Sequence, residues 1–408
     1  MVQNLELLPS PVSEGEAIFV QMSDQILTAP AVGAYHREAY ASMNGYYFPN
    51  HYMEIPFWIP LAAGMMPDEQ YTKSLHVVTD VEASIVELST RPDATLLFSV
   101  MEANRPHVRQ MLERLGNTSI LGGYVDPSQY DDIPHARYLD SLDQLPEALA
   151  GLNPTAPPDY RLFAGERCIP RLTMSTGCNF KCRFCTVPLG VNALDEASVA
   201  AQVDSFHPLD FKLLYLDDKS FGQASNWDHI KEVKEQVQAY NPDFMGFIAQ
   251  TPPTLAIRDG FLEEAIARGL HYLETGVETV NDTRLAELKK PYRLRHLNEL
   301  CSLVRKLGLP LIPNFIFGLP DDNYQETINW VEKNKDIIPV VNVSFAATHF
   351  GSERGGLPYG SGSIEDNDQN STKKSWLSPL QEIEMMDALS IIYGITRGAN
   401  EGKVWHGN

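Results

Sequence analysis

Segments typical of β-strands and of α-helices alternate through the second half of this chain, and this alternation restricts its fold more than any other feature. The strand-like segments are Ile169–Ser175, Phe211–Leu216, Phe244–Gln250, Tyr272–Gly276, Leu311–Phe317 and Val340–Ala346. The helix-like segments between them are Asp195–Phe206, Trp227–Tyr240, Phe261–Ala267, Arg295–Leu307 and Tyr324–Lys335. Such intervals predict successive βαβ units around a parallel sheet. Six repeats fit a partial or complete barrel, but an open doubly wound sheet has the same periodicity, so the pattern leaves both open.

The first half of the chain is less regular. Thr95–Val100 is predicted to be a buried strand, Pro106–Leu115 a helix, and Ser119–Leu121 a second strand that ends at a pair of glycines. A small doubly wound, Rossmann-like domain accounts for this order most simply. The aromatic residues 34–66, interrupted by proline and glycine, support no assignment.

A proline-rich stretch, residues 153–158, separates the two halves, because proline fixes φ and removes a hydrogen-bond donor. We therefore predict an α/β protein with a small Rossmann-like domain over residues 1–152 and a linker over 153–160. The repeating half, residues 161–350, is expected to form a partial (β/α)6 barrel of the TIM type or an open sheet, followed by a loop and a C-terminal helical extension over 351–408.

The C-terminal extension begins with a glycine-rich segment, Gly351–Gly362, whose position after the last strand would let it cover a substrate. A helix is predicted over Pro379–Thr396. Its apolar face is expected to consist of Ile383, Met386, Leu389 and Ile392.

Composition narrows the class of protein. The chain has 408 residues, 43% of them hydrophobic, and 53 Asp and Glu against 32 Lys and Arg give a net charge of −21. No apolar run approaches the length of a membrane span, and the N-terminus lacks the regions of a secretory signal, so we expect a soluble, cytoplasmic protein without a membrane partner. The acidic balance makes nucleic acid an unfavourable partner, because like charges repel.

Three of the five cysteines lie close together, as Cys178, Cys182 and Cys185, with the spacing C-x3-C-x2-C. They directly follow the first strand of the repeating half. An odd number of clustered cysteines indicates metal binding rather than a disulfide framework. Three thiolates can bind one iron–sulfur cube and leave its fourth iron free for a small chelating molecule, whereas a structural zinc site takes four protein ligands. Cys168 and Cys301 are expected to be buried structural residues.

The sequence around these cysteines resembles the radical S-adenosylmethionine (SAM) superfamily, whose hallmark is this spacing in a partial (β/α)6 barrel. Three further segments resemble motifs of that superfamily. They are Leu216–Phe221, like its acidic segment after the second strand, Gly276–Thr279, like its Gly-x-Glu-Ser/Thr element, and Asn314–Asp321, like its Gly-x-Ile-x-Gly-x-x-Glu pattern. The last segment departs from the pattern by Asn314 in place of the first glycine and Asp321 in place of the final glutamate.

The resemblance implies that Cys178, Cys182 and Cys185 hold a 4Fe–4S cluster, which binds SAM through its amine and carboxylate. An electron from the cluster would cleave SAM to a 5′-deoxyadenosyl radical that abstracts hydrogen from the substrate. The residues expected to contact the cofactor or the substrate are Phe184, Asp217, Asp218, Gln250, Glu278, Asn314 and Asp321. Phe184 would pack on adenine, an aspartate would meet the methionyl amine and Glu278 would bind the ribose. Core packing, helix capping and a solvated carboxylate are the ordinary alternatives for such residues.

The first half resembles the cobalamin-binding domain that precedes the barrel in one subclass of this superfamily. The strand at Phe98–Val100, the helix that begins near Pro106 and the pair Gly122-Gly123 carry the resemblance. Paired glycines would let a cofactor approach the backbone closely, and a tight turn is the alternative. The Asp-x-His-x-x-Gly motif, whose histidine would coordinate cobalt, is absent, so the resemblance leaves cobalamin binding open.

We expect a single-cluster radical SAM enzyme that acts on a small molecule or natural-product intermediate. Two alternatives stay open, a cobalamin-dependent radical SAM C-methyltransferase and a non-catalytic iron–sulfur or zinc regulatory module. An electron donor such as flavodoxin or ferredoxin would dock on a group of basic residues near the cluster, and internal ion pairing is the alternative for this group. Its members are Arg161, Arg167, Arg171, Lys181 and Arg183.

Overall fold

The computed structural model describes residues 15–27, 30–320, 322–347 and 368–405. These residues form two compact units. The first comprises the described residues of Met1–Leu27 and Pro56–Ala164, and the second those of Thr28–Ile55 and Gly165–Asn408. Strands and helices are numbered in chain order.

The first unit is an α/β unit with a parallel sheet. Its strands are β1 (Gly15–Met22), β2 (Tyr71–Val78), β3 (Thr95–Val100), β4 (Ser119–Gly123) and β5 (Ala136–Tyr138). Its helices are α1 (Asp24–Leu27), α3 (Trp58–Met65), α4 (Val81–Leu88), α5 (Arg105–Arg114) and α6 (Leu145–Ala148). The strand order is β2-β1-β3-β4-β5, with every neighbouring pair parallel. The Rossmann-like fold predicted from the sequence is therefore confirmed.

The degree to which each strand of this sheet is buried explains whether the strand could be predicted from the sequence. A parallel sheet that is covered on both faces has strands that are continuous apolar runs, and β3 is such a run, with Leu96, Leu97 and Phe98 fully buried. The strand β2 lies at the edge of the sheet, and most of its residues are only half-buried. Its mixed composition, which includes Lys73 and His76, gave no strand signal.

Residues 153–160, the predicted linker, pack against the first unit. The amide of Asn153 donates to the carbonyl of Met65, and that of Asp159 donates to Pro60, both at 2.8 Å. The Asp159 carboxylate lies 3.1 Å from the Nζ atom of Lys73. The residues up to 157 are exposed or half-buried, as expected, but Tyr160 is buried. The boundary between the units consequently falls after Ala164.

The second unit contains a partial barrel. Its parallel strands are β6 (Arg171–Leu172), β9 (Leu213–Leu216), β10 (Gly246–Gln250), β11 (Leu270–Glu278), β12 (Leu311–Phe317) and β13 (Asn342–Phe345). The sheet has the order β13-β12-β11-β10-β9-β6, so successive strands are neighbours, as in a (β/α) barrel that is not closed. An antiparallel pair, β7 (Ser175–Thr176) and β8 (Asn192–Ala193), brackets the cysteine loop. All six predicted strands are present.

Helices follow the strands of the second unit as the sequence predicts. They are α7 (Glu196–Ser205), α8 (Ile230–Tyr240), α9 (Pro253–Ala256), α10 (Phe261–Ala267), α11 (Asp282–Glu287), α12 (Leu294–Leu307) and α13 (Tyr324–Asn334). Local caps define several of these ends. The Asp195 carboxylate accepts from the amide of Ser198 at the start of α7, and Gly308 ends α12 in the left-handed conformation.

Residues 28–55 belong to the second unit, although the sequence analysis placed them in the first domain. They include α2 (Pro30–Ala41). Tyr35, Tyr40 and Met43 share a buried cluster with Tyr272 and other strand residues of the barrel. The Tyr272 hydroxyl donates to the carbonyl of Asn44 at 3.0 Å. Contacts between residues far apart in sequence fix this segment, so a local pattern could not assign it.

The C-terminal helix α14 (Pro379–Asn400) begins at a Ser378 cap, as its sequence suggests, but it buries a different face from the predicted one. Leu389 and Ile392 are buried as expected, together with Met385 and Ala388, whereas Ile383 is 58% and Met386 38% exposed. The correction arises because α14 contacts both α13 and α2, which select the face that contains Met385. Among the helices of the described ranges, none combines the length and apolarity that crossing a bilayer requires. The segment Gly351–Gly362 lies outside the described residues.

Replacing Gly123 by alanine is expected to destabilise the first unit. Gly123 has φ 131°, and a Cβ atom there would collide with the carbonyl of Val100 on the adjacent strand. We expect Gly123→Ala to lower the free energy of unfolding by about 2 kcal/mol or more, measured by urea unfolding followed by circular dichroism. Gly116→Ala is the matched control, since a Cβ there meets no atom within 4 Å. Equal stability of the two variants would contradict this assignment.

Candidate functional site

The carboxyl ends of neighbouring strands are held together by Asp218, which lies just after β9. Its Oδ1 atom accepts from the amides of Met174 and Ser175, both at 2.9 Å, and its Oδ2 atom accepts from the Ser175 hydroxyl at 2.6 Å. Burial raises the pKa of Asp218, although these hydrogen bonds oppose the rise. Asp218 thus fixes the segment that leads into the cysteine loop, so the structure gives it a positioning contact within the chain.

The cysteine loop is closed by backbone hydrogen bonds. The amide of Cys178 donates to the carbonyl of Pro188 at 3.0 Å, and the amide of Gly190 donates to the carbonyl of Cys178 at 3.2 Å. Gly177 has φ 77°, and a Cβ atom on it would collide with the Gly190 carbonyl, so glycine is required where the two sides of the loop meet. The loop is therefore anchored at its base.

The three cysteines of this loop have free thiols, and two of them accept hydrogen bonds from nearby amides. Cys178 is buried, and Cys182 and Cys185 are half-buried. The Sγ atom of Cys178 accepts from the Phe180 amide at 3.5 Å and from the side-chain amide of Gln223 at 3.6 Å, and that of Cys185 accepts from the Val187 amide at 3.4 Å. Hydrogen bonds of this kind surround the sulfur ligands of iron–sulfur clusters and tune their potentials.

The thiols also act on one another electrostatically. Burial raises the pKa of Cys182, the Lys290 ammonium opposes this rise, and Cys185 and Cys178 add to it. Within the described ranges no three His, Cys, Asp or Glu side chains converge on a position for one metal ion. A 4Fe–4S cube binds each cysteine through a different iron, so its thiolates stand farther apart than ligands of one ion, and the donor set fits such a cube. Cys168 and Cys301 are buried elsewhere, as predicted.

Glu278, predicted to bind the cofactor, forms a buried ion pair beside the cysteine loop. Its Oε1 atom lies 2.6 Å from Nζ of Lys290, and Nζ is 4.9 Å from the centre of the Phe184 ring. Burial alone would lower the pKa of Lys290, but the Glu278 carboxylate raises it above its ordinary value. Glu278 has φ 60°, which is unusual for a residue with a side chain, and a Cβ on Gly276 would collide with its carboxylate.

A cavity of about 590 Å³ lies inside the barrel, next to this ion pair. Four of the predicted site residues line it together, namely Phe184, Gln250, Glu278 and Asn314. Parallel strands and their loops bring these residues together, because ligand sites of such folds form at the carboxyl ends of the strands. Sequence reasoning therefore located the cavity, while the contacts of these residues with a cofactor stay a prediction.

The predicted residues Asp217 and Asp218 are not among the described residues that line this cavity. Asp217 is engaged in ion pairs, at 2.5 Å from Arg171 and 3.0 Å from Lys219. Asp321 lies outside the described residues. Ion pairing also accounts for three members of the predicted basic group, since Arg161 binds Asp159, Arg167 binds Asp210 and Arg171 binds Glu54.

The floor of the cavity contains a polar network that the sequence analysis missed. Glu274 accepts from the Asn314 side-chain amide at 2.5 Å and from the Tyr215 hydroxyl at 3.1 Å. The oxygen of Asn314 accepts from Asn342 at 3.0 Å, and Asn342 accepts from the Tyr40 hydroxyl at 2.8 Å. A signal existed, because Glu274 is a carboxylate within a strand whose residues are almost all buried, and a buried carboxylate needs polar partners.

The first unit has a smaller cavity, of about 240 Å³, at the carboxyl ends of β3 and β4. Its walls include Ser99, Gly122, Tyr124, Leu142 and Trp58. A Cβ on Gly122 would make only an ordinary contact, at 3.7 Å from the Leu139 carbonyl, whereas Gly123 is fixed by its contact with Val100. Of the two paired glycines, one is thus required by the sheet and the other leaves space in the cavity.

Comparisons with known proteins agree with this geometry. Residues 172–333 match the model of the Radical SAM superfamily. The solved structure of the cobalamin-dependent SAM radical enzyme OxsB with aqua-cobalamin bound is similar, with a TM-score of 0.54 and 14% identity over 85% of this chain and 55% of that chain. The radical SAM methyltransferase TsrM from Kitasatospora setae, with cobalamin and a [4Fe–4S] cluster bound, gives a TM-score of 0.56 and 10% identity over 97% of this chain and 91% of that chain. None of the curated proteins compared with the chain matches it.

The fold and the cysteine loop define the class, an α/β protein whose second unit contains a radical SAM domain, residues 172–333. A 4Fe–4S cluster and SAM are the cofactors that such a domain implies. The likeness to OxsB and TsrM establishes the fold of both units, and the chain spans about half the length of OxsB.

Replacing Lys290 by methionine is expected to destabilise the second unit strongly. Glu278 and Lys290 are each about 10% exposed, so the substitution would leave a buried carboxylate without its cation. We expect a loss of about 3 to 5 kcal/mol in urea unfolding of the cluster-free protein. The double variant Lys290→Met/Glu278→Gln should recover part of this loss.

The exposed pair Glu332–Lys335 provides the control for this experiment. Lys335→Met should cost less than about 1 kcal/mol, because water screens the pair. A similar loss for both lysine variants, or no recovery in the double variant, would contradict a coupled buried pair.

Proposed function

We propose that this protein is a radical SAM enzyme in which Cys178, Cys182 and Cys185 hold one 4Fe–4S cluster and the adjoining barrel cavity binds SAM. The observation that carries the proposal is the anchored cysteine loop, with N–H···S hydrogen bonds to Cys178 and Cys185, beside a cavity lined by Phe184 and Glu278. When bound, the cluster supplies an electron that cleaves SAM to a 5′-deoxyadenosyl radical, which abstracts hydrogen from a small-molecule or natural-product substrate.

The side chains around the cavity have distinct tasks in this proposal. Glu278, held by its ion pair with Lys290, accepts hydrogen bonds from the ribose hydroxyls, and Phe184 packs on the adenine. Gln250 and Asn314 offer amide groups toward the interior of the cavity. The buried strands around them keep water away from a reactive carbon radical.

The outer side of the cysteine loop suits an electron donor such as flavodoxin or ferredoxin. Lys181 is exposed directly beside Cys182, and Leu189 is exposed on the returning side of the loop. A basic and apolar surface over the cluster would attract an acidic partner and shorten the path of the electron.

Substitution of the three cysteines tests the proposal. After anaerobic reconstitution, the wild-type chain should bind about four iron atoms, and with dithionite and SAM it should release 5′-deoxyadenosine. Cys178→Ala, Cys182→Ala and Cys185→Ala should each abolish release of the nucleoside, while Cys301→Ala, a substitution in the core of α12, should retain it. Iron uptake without any cleavage of SAM would instead indicate a non-catalytic iron–sulfur module, and binding of one zinc ion would indicate a zinc module.

A second candidate is a cobalamin-dependent radical SAM C-methyltransferase. Two observations favour it, the cavity at the carboxyl ends of β3 and β4 and the fold likeness to two cobalamin-bound chains. In this proposal the cavity receives the nucleotide end of a corrinoid, and Gly122 leaves space in the cavity wall. Cobalamin would supply the methyl group to be transferred, while the residues of the first unit bind its nucleotide end.

Corrinoid binding separates the two candidates. The wild-type chain should retain about one hydroxocobalamin after desalting, seen by its visible absorption, and Gly122→Val should weaken binding at least about tenfold because it fills the cavity. Gly116→Val, in open space, is the control. No retained corrinoid would contradict the methyltransferase and leave a cobalamin-free hydrogen-abstracting enzyme.

A further inference from the structure

The barrel cavity has two chemically different ends. Phe184 of the cysteine loop and Glu278 at the end of β11 line one part of it, and His36, Tyr40 and Tyr46 from the segment 28–55 line the tyrosine end. Glu274 is paired in register with Gln250 and is joined through Asn314 and Asn342 to the Tyr40 hydroxyl. Glu274 is therefore linked by hydrogen bonds to the tyrosine end of the cavity.

Three carboxylates line the described part of this cavity, and no lysine or arginine does. Glu278 is paired with Lys290, and Glu54 is paired with Arg171. Among the described residues, Glu274 has no cation within ion-pair distance, since Arg171 acts on it only at longer range. Each of its oxygens accepts one hydrogen bond, from Asn314 or Tyr215, and a carboxylate oxygen can accept two.

The positive charge nearest in effect, that of Arg171, lowers the pKa of Glu274 from longer range and is itself paired with Glu54 and Asp217. Burial raises the pKa of Glu274, and the nearby Glu54 carboxylate adds to this effect. Burial lowers the pKa of His36 to about 4, so its imidazole is neutral at physiological pH, and its Nε2 atom has no hydrogen-bond partner among the described residues. A cation placed here would gain a partner that the protein does not itself supply.

Aromatic rings complete this end of the cavity. The rings of Tyr40 and Tyr46 are stacked at 4.2 Å between centroids, and Phe48 lies 5.5 Å from each. Faces of aromatic rings attract organic cations, and their area also favours an apolar body. The same cavity end thus combines a carboxylate with an apolar, electron-rich wall.

We propose that this end of the cavity is the substrate subsite, and that it selects an organic cation, a protonated amine on an apolar or aromatic body, whose ammonium group pairs with Glu274. The identification of this ligand as the substrate rests on the proposed function, but the preference for a cation does not. The network from Tyr215 through Glu274, Asn314 and Asn342 to Tyr40 spans four strands and holds the carboxylate in place.

Three probes with one phenyl body and different charges test the proposal, namely phenethylamine, 2-phenylethanol and phenylacetate. Binding to the full-length, anaerobically reconstituted protein is measured by isothermal titration calorimetry with saturating SAM. We expect the ammonium compound to bind at least about tenfold more tightly than the alcohol, and phenylacetate to bind most weakly. Equal affinity for the three probes would overturn the proposal.

Glu274→Gln keeps the shape of the side chain and should reduce the preference for the cation to less than about twofold. Glu274→Asp keeps the charge and should retain a clear preference, which guards against a fold defect in the first variant. Glu332→Gln, on the exposed face of α13, is the control and should bind like wild type. An unchanged preference in folded Glu274→Gln would overturn the proposal.

Two further readouts separate this inference from the proposed function. Loss of phenethylamine binding on addition of SAM would mean that Glu274 serves the cofactor, which overturns the substrate assignment. Wild type and the control Glu332→Gln should both release 5′-deoxyadenosine from SAM with dithionite alone. If wild type fails to cleave SAM while the cation preference is present in wild type and lost in Glu274→Gln, the proposed function fails and the binding site stands.

Discussion

The candidate site depends on one buried carboxylate, that of Asp218, which binds the end of the first barrel strand to the end of the second. Removing a carboxylate from water costs several kcal/mol, and hydrogen bonds to a charged group each return about 1.5 to 3 kcal/mol. Three such bonds, from two backbone amides and the Ser175 hydroxyl, offset that cost. The segment before the cysteines therefore has one position, and Gly177 and the Pro188–Gly190 side of the loop can close over it.

A second buried contact fixes the opposite wall of the site. Glu278 adopts a left-handed backbone conformation, which costs about 1 to 2 kcal/mol for a residue with a side chain. The ion pair with Lys290 stabilises this arrangement, and Lys290 also lies over Phe184 of the cysteine loop. The conformation of the strand end and that of the loop are thus linked through one ammonium group. A backbone strained in this way, at a cavity, is typical of functional sites.

The sequence was sufficient for the elements that local composition determines and insufficient for those that distant contacts determine. The barrel strands were found because both of their faces are buried, so they are apolar runs, and Phe184, Gln250, Glu278 and Asn314 were found because they follow or end such runs. Three features were not predictable. Residues 28–55 pack on a barrel more than a hundred residues away, and α14 buries the face that meets two other helices. Only the fold decides that Asp218 binds the segment before the cysteines while Asp217 forms ion pairs.

The two carboxylates inside the barrel, Glu278 and Glu274, differ in whether the protein supplies a cation for them. At the cysteine end, the carboxylate of Glu278 is neutralised by the protein, so this end can receive a cofactor that brings its own amine and carboxylate. On the side of the tyrosines, the hydrogen bonds to Glu274 come from neutral partners, Asn314 and Tyr215, which orient a carboxylate without neutralising it. Neutral donors on several strands hold the Glu274 carboxylate rigidly. A lysine of the protein in their place would have paired with the carboxylate, which could then no longer recognise a cationic ligand. A carboxylate that is well oriented but unneutralised is the arrangement expected of a group whose counter-ion arrives with a ligand.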